Sequence, residues 1–167
     1  MEYLTPSTDY QELGQAWDRY QRYLRSVEHS LPPEVFQFAS AEWHYDPSDH
    51  RSLHDSWVEA LAIRELPASN GSRVRRVTIE VELLPPYHDG KTTLVYEDVT
   101  RYDLMCGGVT SSPASPAAGH GDWVADEVRL SQNGSVLHEV LFSSGARWLI
   151  ECATVRHTTT APGPPAG

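Results

Sequence analysis

"RVRRVTIEVELL", residues 73–84, is the stretch whose period decides the fold. Val77, Ile79, Val81 and Leu83 alternate with Arg76, Thr78, Glu80 and Glu82, which puts the apolar side chains on one face of an extended chain. The same period extends in both directions. Before it, "SWVEALAIRE" (56–65) predicts a strand with Trp57, Leu61 and Ile63 on one face. After it come "TTLVYEDV" (92–99), entered through the turn-like "YHDGK", and "TRYDLM" (100–105). "DWVADEVRL" and "VLHEVLF" flank "SQNGS", whose Asn133-Gly134 is a hairpin signal. "ARWLIECATV" closes a series of about seven strands.

Upstream of residue 50 the period is helical. Leu13, Trp17, Tyr20, Leu24 and Val27 recur at steps of four and three and form one apolar stripe. Thr8 with Gln11, or Asp9 with Glu12, fits a capping box. Acids in the first turn and Arg25 and His29 in the last suit the helix dipole, and "SLPP" ends the helix. Glu34 to Ala39, after Pro33, predicts one further helical turn. Short connections between strands demand antiparallel neighbours. The expectation is an α+β, mainly β fold: a curled antiparallel meander of about seven strands with one N-terminal amphipathic helix packed on it. One domain spans 1–157, with the helix at 8–30 and the sheet at 55–156. A Gly/Ser/Pro/Ala-rich loop at 107–120 and a tail at 158–167 are expected to be mobile and disordered.

The charge is −10 over 167 residues, and residues 1–50 hold −6 of it, with nine acids against three arginines. Such a chain repels nucleic acids and anionic membranes and favours a basic protein partner. The N-terminus has neither the basic start nor the apolar core of a signal peptide, so a cytoplasmic location is expected. Cys106 and Cys152 have no zinc-finger spacing, and Cys152 falls in an apolar strand as a core residue.

Catalytic motifs are few. There is no Gly-x-Ser-x-Gly elbow and no nucleotide-binding glycine fingerprint, and Lys91 is the one lysine. "DPSDHRSLHDSW" (46–57) spaces His50 and His54 four apart, but Pro47 and the turn-forming side chains around it argue against a helix there. Arg51 also stands where a zinc protease needs glutamate. His54-Asp55 is similar to the metal pair of HD phosphohydrolases, which are helical, whereas this pair sits at the mouth of a strand. Three readings stay open. The segment is a turn whose Leu53 and Trp57 anchor it in the core, or a binding surface, or half of a metal cluster of His54, Asp55, His120 and Asp122. Asp126 shares the parity of Val124, Val128 and Leu130, so an acid faces the apolar side. It must be paired, with Arg76, Arg101 or Arg147 as candidates, or else line a small cleft.

The runs "SLHDSWVEALAIRE", "RRVTIEVELL", "TTLVYEDVTRYDL" and "DEVRLSQNGSVLHEVLFSSGARWLIEC" resemble a diffuse group of small bacterial domains. These share a Leu-His-Asp-Ser/Ala-Trp start and a meander, and several are linked with immunity proteins of polymorphic toxin systems. The likeness spans roughly 52–156. It implies a non-enzymatic binder with no catalytic residue to carry over. Together with the −10 charge, the expectation is an immunity-type protein that occludes a basic protein partner such as a toxin domain, and no cofactor is expected. Trp43, Tyr45, His54, Asp55, Trp57, Trp123 and Asp126 are the expected binding residues. A metal-dependent hydrolase built on the His/Asp cluster, and a module that buries its open sheet face in a homodimer, are the alternatives.

Overall fold

A computed structural model describes residues 1–4, 7, 9–67, 74–106 and 119–160. Helix α1 (Tyr10–Val27) is capped by Asp9, whose carboxylate accepts from the Gln11 amide at 2.8 Å. A 3-10 turn (Glu28–Ser30) extends it before Pro32 and Pro33, and Pro33 opens α2 (Pro33–Ser40). A second 3-10 turn (Glu42–Tyr45) follows. No helix among the described residues is long and apolar enough to cross a membrane.

Eight antiparallel strands then form two four-stranded sheets, so the fold is α+β and mainly β. Sheet A has the order β1-β2-β3-β8, from Trp57–Pro67, Arg75–Leu84, Lys91–Glu97 and Thr154–Thr160. Sheet B has the order β4-β7-β6-β5, from Arg101–Leu104, Arg147–Cys152, Val136–Phe142 and Trp123–Leu130. The expected single curled meander is thus two sheets, and the reason is local. β3 continues into β4 and β7 into β8, but the chain turns at Asp98, where φ is +51°, and breaks opposite it at Ala153. The Ala153 amide donates to the Glu97 carbonyl at 3.0 Å across that corner. One predicted strand, "ARWLIECATV", is therefore two, one in each sheet. Thr158–Thr160 pair with Lys91–Thr93, so the sheet runs past the expected limit of 156 and the tail does not start at 158. Residues 107–118 of the expected loop lie outside the described residues.

β-Bulges correct two parity assignments. Glu59 is the extra residue between Val58 and Ala60, which moves Trp57 to the face opposite Leu61 and Ile63. Another irregularity between Trp123 and Ala125 lets Trp123 and Asp126, three apart, share a face. Ile79, Val81 and Leu83 of sheet A and Val140, Trp148 and Ile150 of sheet B meet Tyr20, Leu24, Val35 and Phe38 of the helices in one core.

Candidate functional site

Among the charged groups buried in that core is Asp126, which is 2% exposed. β5 presents it inward, and three N–H donors converge on it. Trp123 Nε1 lies 2.9 Å from Oδ1 and His138 Nε2 2.9 Å from Oδ2. His44 Nε2 sits 3.0 Å from Oδ1 and 2.9 Å from Oδ2. His44 reaches this point because the 3-10 turn after α2 rotates its ring inward, where Nδ1 meets the Phe38 carbonyl at 3.0 Å. His138, opposite Val128 in the β5–β6 register, turns its other nitrogen to the Tyr96 hydroxyl at 2.9 Å. One chain of hydrogen bonds therefore runs from sheet A through both strands of the β5–β6 hairpin to the helices.

Proton bookkeeping assigns the charges. A backbone carbonyl only accepts, so His44 Nδ1 must carry a proton. An ionised Asp126 likewise only accepts, so Nε2 of His44 carries one too, making this ring the cation. His138 stays neutral if Tyr96 O–H donates to its Nδ1. Burial opposes ionisation of Asp126, but the charge on His44 and the bonds from both imidazoles outweigh it and hold the carboxyl well below its ordinary value. Both nitrogens of both rings are engaged, so neither imidazole has a free lone pair to serve as a general base.

Above this floor a cleft of about 660 Å³ opens between α1, the 42–54 segment and β5. That size is ordinary for a ligand site. Trp17, Tyr45 and Trp123 supply aromatic wall, Leu13, Ala16 and Pro47 aliphatic wall, and Glu42, Asp46 and Asp126 carboxylates. Among the described residues that line it there is neither lysine nor arginine.

Of the expected binding residues, Tyr45, His54, Trp123 and Asp126 line the cleft. Asp126 is both the pair member and the cleft residue, but its partners are histidines and an indole in place of an arginine. Arg76 binds Asp98, and Arg147 lies 3.7 Å from Glu139. Leu53 anchors the turn in the core at 0% exposure, whereas Trp57 is 48% exposed and reaches outward to Asp122 through its indole N–H at 2.7 Å. Asp55 adopts φ +63° and donates its amide to the Trp123 carbonyl, fixing the turn to the start of β5. The four residues of the expected metal cluster do not converge. His54 pairs with Asp55 at 3.0 Å on the surface, Asp122 binds Trp57 and Ser143, and His120 packs on Phe142 and Trp148. Among the described residues no three His, Cys, Asp or Glu side chains stand together in a way that could hold one metal ion. Cys152 is buried, and burial pushes its thiol up to about 12.

Trp43 lies outside the cleft and stacks on His157 with ring centroids 4.6 Å apart, and the Arg51 guanidinium lies over the Trp43 ring, 5.5 Å from its centroid. Burial, together with the charges of His44 and Arg51, lowers His157 to about 4 from the usual 6.5. The neutral ring is therefore the native form. Between about pH 6.5 and 4 the unfolded chain takes up a proton that the native chain refuses, so stability falls as pH drops through that window. Urea titrations at pH 7 and pH 5 should differ by roughly 1–2 kcal/mol from this residue. His157→Phe should remove that part of the difference; an unchanged difference would show that His157 is not its source.

No protein-family model, curated protein or solved structure matches this chain.

Proposed function

We propose that this chain is a non-enzymatic binding protein of the immunity type, which docks a basic protein partner on its acidic helical side and receives one of the partner's cationic side chains in the cleft. The observation that carries the reading is the composition of the cleft: three carboxylates and three aromatic rings, with no lysine or arginine among the described lining residues. Asp126 is balanced by His44, which leaves Glu42 and Asp46, both exposed, as the charges that a ligand meets. Aromatic faces beside them suit a guanidinium or ammonium group, and a cation–π contact adds about 0.5–2 kcal/mol. The charge distribution supports the same side. Residues 1–56 carry ten acids and four arginines, which is −6 of the total −10. Acidic groups there would mainly speed encounter, and the aromatic wall would supply affinity.

Titration of tryptophan fluorescence with hexa-arginine and hexa-glutamate tests this directly. Hexa-arginine should quench and saturate, and its affinity should weaken about tenfold or more as salt rises to screen the surface charges. Replacing both Glu42 and Asp46 by lysine should abolish saturation. The same two-charge reversal at Glu28 and Asp103, neither of which lines the cleft, should cost no more than about threefold. Equal responses to the two peptides, or equal losses from the two double variants, would remove the cleft from the function.

A further inference from the structure

The two sheets have four edges, and three of them are occupied or short. On β5 the Tyr20 hydroxyl accepts from the Val128 amide at 2.7 Å, the Tyr23 hydroxyl from the Leu130 amide at 2.7 Å, and the Ser56 carbonyl from the Trp123 amide at 3.0 Å. β8 lies against α2, and β4 is four residues long. β1 is different. It is eleven residues long, and among the described residues no strand pairs with its second edge. Its core-facing side chains are also left open. Leu61 and Ile63 are 38% and 42% exposed, although their partners Val81 and Ile79 on β2 are fully buried. The core stops one strand short of cover.

We infer that β1 pairs with β1 of a second copy of this chain, in an antiparallel register centred on Ala62, to form a symmetric dimer with a continuous eight-stranded sheet. Three observations choose a second copy as the occupant. First, sheet A is electrically neutral in a chain of −10: its four strands carry five glutamates, four arginines and Lys91. Arg64 pairs with Glu80, Lys91 with Glu82 and Arg156 with Glu97. This face is one where two acidic copies can meet without strong repulsion. Second, the proposed register sets Leu61 of each copy opposite Ile63 of the other, covering the open end of both cores with apolar cross-strand pairs. It also opposes Glu59 to Glu65, but Glu59 sits in the bulge and Arg75 lies 3.3 Å from Glu65. Third, that bulge at one end and Pro67 at the other bracket the regular stretch. Bulges and proline are the devices that stop open-ended edge pairing, so a closed two-fold pair is the arrangement left open to it. This dimer lies away from the cleft, and the Glu42/Asp46 double variant should form it normally.

Sedimentation of the intact chain should show the mass rising from 18.7 kDa towards twice that value over the micromolar range, with a dissociation constant on the order of 10 μM for so small an interface. Leu61→Lys should weaken association at least about tenfold, with its circular dichroism spectrum checked to confirm folding. A second measurement does not depend on that variant folding. In a Cys106→Ser background, Ala62→Cys should form an intermolecular disulfide under mild oxidation, because facing residues of antiparallel strands lie about 4.5–5.5 Å apart at Cα. Ala60→Cys should not, because its two copies would be separated by about 13 Å in this register. A monomer at every concentration would overturn the inference. So would a dimer indifferent to Leu61→Lys, or cross-linking at Ala60→Cys in preference to Ala62→Cys.

Discussion

Asp126→Ala should cost about 3–5 kcal/mol, the price of breaking a buried, hydrogen-bonded ion pair from one side. In a chain of this length that corresponds to a fall in Tm of roughly 6–20 °C. The size follows from what is stranded. His44 keeps its bond to the Phe38 carbonyl but loses the counter-charge for its ring, and the buried Trp123 Nε1 and His138 Nε2 lose their acceptor. Asp126→Asn separates charge from shape. An amide keeps the volume and one acceptor for Trp123, and His138 can take the tautomer that accepts from the amide N–H. Only His44 is left without its anion, so the loss should be smaller, on the order of 2 kcal/mol. Ring ¹⁵N spectra of the wild-type protein should show both nitrogens of His44 as N–H donors, to the Phe38 carbonyl and Asp126, and Nδ1 of His138 as an acceptor from the Tyr96 hydroxyl. The acid side has a definite sign as well. Because the native carboxyl is held below its unfolded value near 3.9, the pair's contribution is full above that pH and falls away as the pH is lowered beneath it. A variant as stable as wild type, or a neutral His44 ring, would mean that the carboxyl is protonated in the native state and that no ion pair exists.

How far the sequence discloses this centre depends on which residues have a periodic context. Asp126 stands out because an acid on the apolar parity of a strand needs an explanation, and the hairpin signal at Asn133-Gly134 sets its neighbour strand. That register places His138 across from Val128, next to Asp126, so one partner could be reached by counting across the turn. His44 could not. It lies in "EWHY", a four-residue 3-10 turn with no repeat to orient it, and it meets Asp126 across 82 residues of chain. Arginines were the natural partners to expect for a buried acid, since neutral histidine carries no charge to offer until a second acceptor, here the Phe38 carbonyl, requires its other proton. The helix stripe, the strands and the turn at 46–57 were readable because each rests on local periodicity. The division into two sheets was not. It depends on single residues, Asp98 and Ala153, whose corner breaks no apolar pattern. Bulges at Glu59 and near Val124 defeat parity counting for the same reason, since an inserted residue looks like any other member of the strand.

Tyr20→Phe should be the second most damaging of these changes, at about 2–4 kcal/mol, although it removes one oxygen and leaves the ring in place. Tyr20 is fully buried, and burial raises its hydroxyl far above the ordinary range, so it acts as a neutral donor and acceptor. It accepts from the Val128 amide at 2.7 Å and donates to the Val128 carbonyl at 3.2 Å, filling the place that a neighbouring strand would take on the edge of β5. Losing it orphans a buried N–H and a buried C=O together, each costing about 1–3 kcal/mol with little chance of a water replacing it. Tyr23→Phe supplies the comparison. Its hydroxyl serves the Leu130 amide at 2.7 Å in a half-buried position, where water can substitute, so the loss should stay near or below 1 kcal/mol. Hydrogen exchange gives a readout that simple loss of packing would not: the Val128 amide should lose protection by a larger factor than its neighbours in the Tyr20 variant, and the Leu130 amide in the Tyr23 variant. Equal effects of the two changes, or uniform loss of protection across β5, would show that α1 holds the sheet through its apolar stripe alone. The expected inequality would instead make α1 a surrogate strand, which explains why the helix that builds one wall of the cleft is fixed to the sheet that builds its floor.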